Sequence, residues 1–110
     1  MSRSHFFDTL VAELVDLELR NKGLKLADLA SILGVREDHI RKINSASSDK
    51  RYTLNHLYII SEHWQCSIDN FIPNLQNIKR LQRFNDADEK ELVNVIEQIK
   101  IELIGDEKNE

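Results

Sequence analysis

Arg36, Glu37, Asp38, Arg41 and Lys42 fall within seven positions of one another, and their side chains are those that read the edges of nucleic-acid bases. Arginine and lysine donate to the O6 and N7 acceptors of guanine, and carboxylates accept from the amino group of cytosine. Val35, Ile40 and Ile43 lie among them at a spacing that turns the apolar residues inward and leaves the charged ones outward. The next nine residues, NSASSDKRY, have turn composition and no apolar period. Within them Asn44, Ser45, Ser47, Ser48, Lys50 and Arg51 are suited to phosphate oxygens. A solvated helix face followed by a polar loop has the same composition. Glu37 and Asp38 would also approach phosphates that repel them, so they either read bases or weaken binding.

Other chemistries find less support. His56, His63 and Cys66 bring three metal-ligating groups into eleven residues, but soft metals want about four placed ligands, and no CxxC or HxxxH pair anchors a site. No metal and no cofactor is expected. There is no Gly-rich phosphate loop, no nucleophile elbow and no carboxylate pair with a defined base, so the chain is not read as an enzyme.

The element that must position the charged set is a pair of short helices across residues 26–43, LADLASILGVREDHIRKI. Ala30 keeps the first helix thin where the second crosses it, and Gly34 supplies the positive φ of the turn. Leu29, Ala30, Leu33, Val35, Ile40 and Ile43 then form the inner surface, as in a helix-turn-helix whose second helix enters the major groove. Helix one is expected over 6–21, where Phe6, Leu10, Leu14 and Leu17 recur with Phe7, Val11 and Val15 beside them. Lys22 and Gly23 end it. Thr53 caps a helix over 54–64 with Leu54, Leu57, Ile60 and Trp64 facing inward, Ser67 caps a short helix over 68–72, and Pro73 closes the first unit.

Three segments carry a family resemblance: LELRNKGLKLADLASILGV (17–35), HIRKI (39–43) and TLNHLYIISEHWQCSIDNFI (53–72). Over about residues 10–72 the chain resembles the lambda-repressor-like regulators of the Cro/C1 (XRE) class, and its SinR-like members in particular. The resemblance implies a five-helix domain that binds double-stranded operator DNA as a dimer and regulates transcription. It also marks departures. Lys25 stands where Ser or Thr usually caps the second helix, Leu26 where Gln often contacts phosphate, and Arg36 where a small residue usually caps the third helix.

Composition bounds the rest. The chain has 110 residues with 41% apolar content, one proline and three glycines, which favours an all-α protein. Cys66 is the one cysteine, so no intrachain disulfide can form, and a reduced cytoplasmic compartment is expected, without a secretory signal or membrane span. The net charge of −4 is unevenly spread: nine Lys or Arg against ten Asp or Glu in residues 1–73, and six against nine in 74–110. Residues 36–51 carry five basic side chains against three acidic ones, a thin positive patch.

Residues 74–110 form a C-terminal helical extension. Leu75, Ile78 and Leu81 are helically spaced, a break falls at Asn85, and an amphipathic helix runs from 87 to about 104, started by Asp86 with Glu89 in the manner of a capping box. Leu92, Val95, Ile96, Ile99 and Leu103 form its apolar stripe, widened by Val93 and Ile101 over ~27 Å. Residues 6–72 already supply a closed set of helices, so the stripe is expected to make a homodimer. It could also pack on its own domain or dock an antirepressor or partner protein. Residues 105–110, GDEKNE, read as a frayed end. The function expected is sequence-specific operator binding by a homodimeric regulator, a repressor by preference, with a protein-interaction module that keeps the fold without the DNA activity as the alternative.

Overall fold

The computed structural model describes residues 5–45 and 48–108, and those residues form helices and turns without a strand. Helix α1 spans Phe6–Asn21, followed by α2 (Leu26–Leu33), α3 (Glu37–Ile43) and α4 (Leu54–Trp64). A 3-10 turn at Ile68–Phe71, the single-turn α5 (Leu75–Ile78), a second 3-10 turn at Gln82–Phe84 and the long α6 (Glu89–Lys108) complete the chain.

α1 is the axis of the packing because it is apolar on two sides. Val11, Ala12, Val15 and Leu19 join Leu29, Ala30, Ile40, Ile43, Leu57, Ile60, Trp64 and Phe71 in a core formed with α2, α3 and α4. Leu10 and Leu14 point to the other side and are buried with Ile78, Leu81, Leu92 and Ile99. Burial of this kind contributes about 1.5–3 kcal/mol per large side chain. The sequence leaves the α6 stripe without a partner in its own chain, and here the structure corrects it. Leu92 and Ile99 are buried, and Val95, Ile96 and Leu103 are half-buried, all within this second core. Ion pairs tie the same layer to α1: Arg83 grips Glu13 and stacks over the Phe6 ring, and Arg80 lies 3.6 Å from Glu18.

Three helices end by one device. Gly23, Gly34 and Gln65 adopt the left-handed conformation, and the amide after each donates back five residues: Leu24 to Leu19, Val35 to Ala30, and Cys66 to Ser61. The two glycines do this without strain. Gln65, at φ 51°, does it at a steric cost.

Other expectations shift by residues. Leu54 faces solvent, 69% exposed, because Tyr52 turns in ahead of the Thr53 cap and fills that end of the core at 6% exposure. Tyr52 is therefore core and not surface loop. The short helix after Ser67 is a 3-10 turn ending at Phe71. The helical spacing at 75–81 breaks after one turn, where the buried Asn77 side chain donates through Nδ2 to the carbonyls of Asp69 and Ile72 at 2.7 and 2.8 Å. α6 starts at Glu89, not 87, because Asp88 and not Asp86 caps it, accepting from the Glu91 amide at 2.9 Å. It continues through Gly105 to Lys108, beyond the expected end near 104. No described helix is long and apolar enough to cross a membrane.

Candidate nucleic-acid interface

The crossing of α2 and α3 sets the geometry. Gly34 holds φ 68° and ψ 31°, and its amide and that of Val35 satisfy the last carbonyls of α2, so the chain reverses within three residues. Nothing lies within 4 Å of where a Gly34 side chain would begin, so the glycine is required by its backbone angles and not by crowding. Ala30 is 5% exposed beneath the crossing. Lys25 has no side-chain acceptor for the first amides of α2, but Asp28 supplies the other half of a capping box, its carboxylate accepting from the Lys25 amide at 2.8 Å. Sequence inspection passes over Asp28, although an acid three residues after the N-cap position is the signal that finds it.

With Ile40 and Ile43 buried, α3 turns Asp38, Arg41 and Lys42 fully outward and Glu37 to their side. These four side chains are not independent. Arg41 Nη2 lies 2.7 Å from Glu37 Oε1, and Lys42 Nζ lies 3.4 Å from Asp38 Oδ2, each pair one helical turn apart and exposed. α3 is consequently near neutral, and its two acids occupy the donors that base or phosphate acceptors would use. Exposed pairs of this kind hold by no more than about 1 kcal/mol, so either can open.

Further positive charge lies beside α3. Arg36 and Lys50 make no ion pair among the described residues, and they line one open hollow of about 400 Å³ with Val35, Asp38, His39 and Lys42. A hollow that size admits a phosphate group. The Lys50 amide donates to Ser48 Oγ at 3.0 Å. His39 is absent from the set read off the sequence, although it sits three residues after Arg36 and three before Lys42 and so shares their side of the helix.

The remaining sequence-derived residues fall elsewhere. Asn44 and Ser45 line a different hollow beyond the C-terminal end of α3, with Thr9, Glu13, Asp16 and Arg20 of α1. Arg51 points toward Asp8, 4.0 Å away. Ser47 lies outside the described residues. The structure thus brings Arg36, Asp38, Lys42 and Lys50 together, keeps Glu37 and Arg41 on the adjoining flank of α3, and separates Asn44, Ser45 and Arg51 from them.

His56 has a structural task. Its Nδ1 accepts from the Thr53 amide at 3.0 Å while its own amide donates to Thr53 Oγ1 at 3.2 Å, a reciprocal cap on α4. Burial, and secondarily the neighbouring His39, hold the His56 imidazole below its ordinary pKa. His63 is exposed and Cys66 half-buried against the first core. No three His, Cys, Asp or Glu side chains converge on a metal position among the described residues. Comparison of the chain with protein-family models, with curated proteins and with solved structures finds no match.

Proposed function

We propose that the chain is a sequence-specific DNA-binding transcriptional regulator, a repressor by preference, which binds a palindromic operator as a homodimer. The single observation that carries this is the α2–Gly34–α3 crossing, with Glu37, Asp38, Arg41 and Lys42 on its outer side and Arg36 and Lys50, which make no ion pair among the described residues, flanking them. Five helical segments over residues 6–71 would then form a lambda-repressor-like domain with α3 as its recognition helix. Arg41 and Lys42 would donate to guanine, Glu37 and Asp38 would accept from cytosine, and Arg36 and Lys50 would hold phosphates. Two copies of α3 would enter successive major grooves about 34 Å apart. Regulation would follow from occupancy of promoter DNA, in the cytoplasm, with no chemistry and no cofactor.

A second function is favoured by the internal pairing of α3. With Arg41 and Lys42 each matched by an acid, the helix offers little net charge to a polyanion, which suits an antirepressor or accessory subunit that binds protein. Titration of the chain onto a mixed-sequence duplex over a range of salt concentrations separates the two. DNA binding loses affinity linearly in log–log form, with a slope of about −0.9 per phosphate neutralised. Absence of binding at low salt by the folded chain would favour the interaction module.

A further inference from the structure

The hollow beside α3 contains an imidazole among cations. His39 is half-buried and lines it together with Arg36, Lys42, Lys50, Asp38 and Val35. Arg36 and Lys50 make no ion pair among the described residues, while Lys42 Nζ lies 3.4 Å from Asp38 Oδ2. With a neutral imidazole the hollow holds three cations against one carboxylate, and a proton on His39 makes it four against one.

The neighbouring ring does not compete for that proton. His39 and His56 meet edge to face with centroids 6.5 Å apart, and Tyr52 stands edge-on to His56 at 6.1 Å. His56 Nδ1 accepts from the Thr53 amide at 3.0 Å, so its lone pair is committed to the α4 cap, and burial first and His39 second hold it below its ordinary pKa. The Tyr52 phenol is held above its ordinary range by burial and by Asp16. The charged and titratable groups around His39 are thus Arg36, Asp38 and Lys42 at and along α3, Lys50 from the following loop, and His56 from α4. Of these side-chain types histidine alone ordinarily changes charge near neutrality, and of the two histidines His39 is the one that lines the hollow.

We propose that this hollow binds a tetrahedral oxyanion, in the DNA-binding function a phosphodiester of the backbone, with His39 as imidazolium, so that occupancy takes up a proton and tightens as pH falls. The proposal rests on that function for the source of the oxyanion, and it adds His39 as a phosphate ligand and the proton as its regulator. An oxyanion seated among Arg36, Lys42 and Lys50 favours a further positive charge beside it, and the imidazolium returns a charge-assisted N–H donor. Occupancy and protonation therefore support one another. One coupled proton changes affinity by up to about tenfold per pH unit. A free inorganic oxyanion has the same chemistry, so two ligands identify the source.

Binding by the full chain is measured at pH 8 and pH 6 at constant ionic strength, with circular dichroism confirming the fold at both. Fluorescence anisotropy follows a short mixed-sequence duplex, and the imidazole proton resonances of His39 follow inorganic sulfate, whose charge is constant over this range. The parent should bind the duplex about tenfold more tightly at pH 6, and sulfate should move the His39 resonances more at pH 6 than at pH 8. His39→Gln should bind the duplex with one affinity at both pH values, whereas His63→Gln, which does not line the hollow, should keep the parent's dependence. A sulfate response without duplex binding would refute the DNA function and retain the proton-coupled site for a free oxyanion. Proton-dependent duplex binding that is lost in His39→Gln, without a sulfate response, would support the site and assign it to the DNA backbone. Duplex affinity and sulfate response that ignore pH in the parent, or a pH dependence that survives in His39→Gln, would overturn the proposal.

Discussion

Arg41 Nη2 lies 2.7 Å from Glu37 Oε1, one turn back along α3. The acid therefore holds the side chain best suited to guanine, and under the proposed function DNA would have to displace it or use the pair as a unit. Glu37→Gln keeps the size of the side chain and removes its charge. It should tighten binding to mixed-sequence duplex severalfold and steepen the log–log salt slope by up to about one, measured by fluorescence anisotropy. A loss of affinity confined to particular sequences would instead make Glu37 a reader of cytosine.

His56 should make stability depend on pH. Its folded pKa lies below the unfolded value of 6.5, so the neutral form is favoured by folding. The contribution is complete above that unfolded value and is lost as pH falls through it toward the folded pKa, because the unfolded chain takes up the proton first. Protonation would also cost the bond that Nδ1 accepts from the Thr53 amide. Thermal unfolding at pH 8 and pH 5.5 should show a smaller acid-induced drop in Tm for His56→Gln than for the parent. Gln can still complete the cap. Equal drops would remove His56 from the account.

Gln65 is the one non-glycine residue with positive φ among those described, at 51°. It is exposed and closes α4 in the place that Gly23 and Gly34 fill elsewhere. Gln65→Gly should stabilise the protein by about 0.5–1 kcal/mol in urea unfolding. A destabilised variant would show that the Gln65 side chain contributes more than its backbone costs.

Ile99 is 5% exposed in the core that α6 makes with Leu10 and Leu14 of α1. Ile99→Ala should cost about 2–5 kcal/mol and lower the single unfolding transition of the whole chain. If α6 were an independent appendage, loss of helical signal from α6 would precede an unchanged transition of the remainder.

Much of the helical frame was legible in the sequence. α1 and α4 begin and end where apolar period, Thr53 and Gly23 place them, because stripe and cap coincide there. Gly34 was legible for the same reason: a glycine between two apolar periods has one conformational use. The breadth of the α1 stripe, Phe6, Leu10, Leu14 and Leu17 beside Phe7, Val11 and Val15, is also plain. What its second side meets is a long-range property that no local pattern encodes, so the sequence alone does not pair the α6 stripe with Leu10 and Leu14. Tyr52 was missed because a lone aromatic residue in a polar loop has no period. Around α3 the charged residues were visible but not their pairing, although Glu37 with Arg41 and Asp38 with Lys42 stand at the four-residue spacing of helical ion pairs. The hollow shared by Arg36 and Lys50 brings together residues fourteen apart, which composition does not determine.

The central claim is that α3 reads DNA sequence, and selection of binding sites from a random duplex pool by the purified full-length chain tests it most directly. At low salt the selected sites should share a two-fold symmetric motif with G·C pairs in each half-site, and enrichment should fall as salt is raised. A folded chain that enriches no motif would contradict the claim, and would leave α3 with its paired acids as a surface for protein.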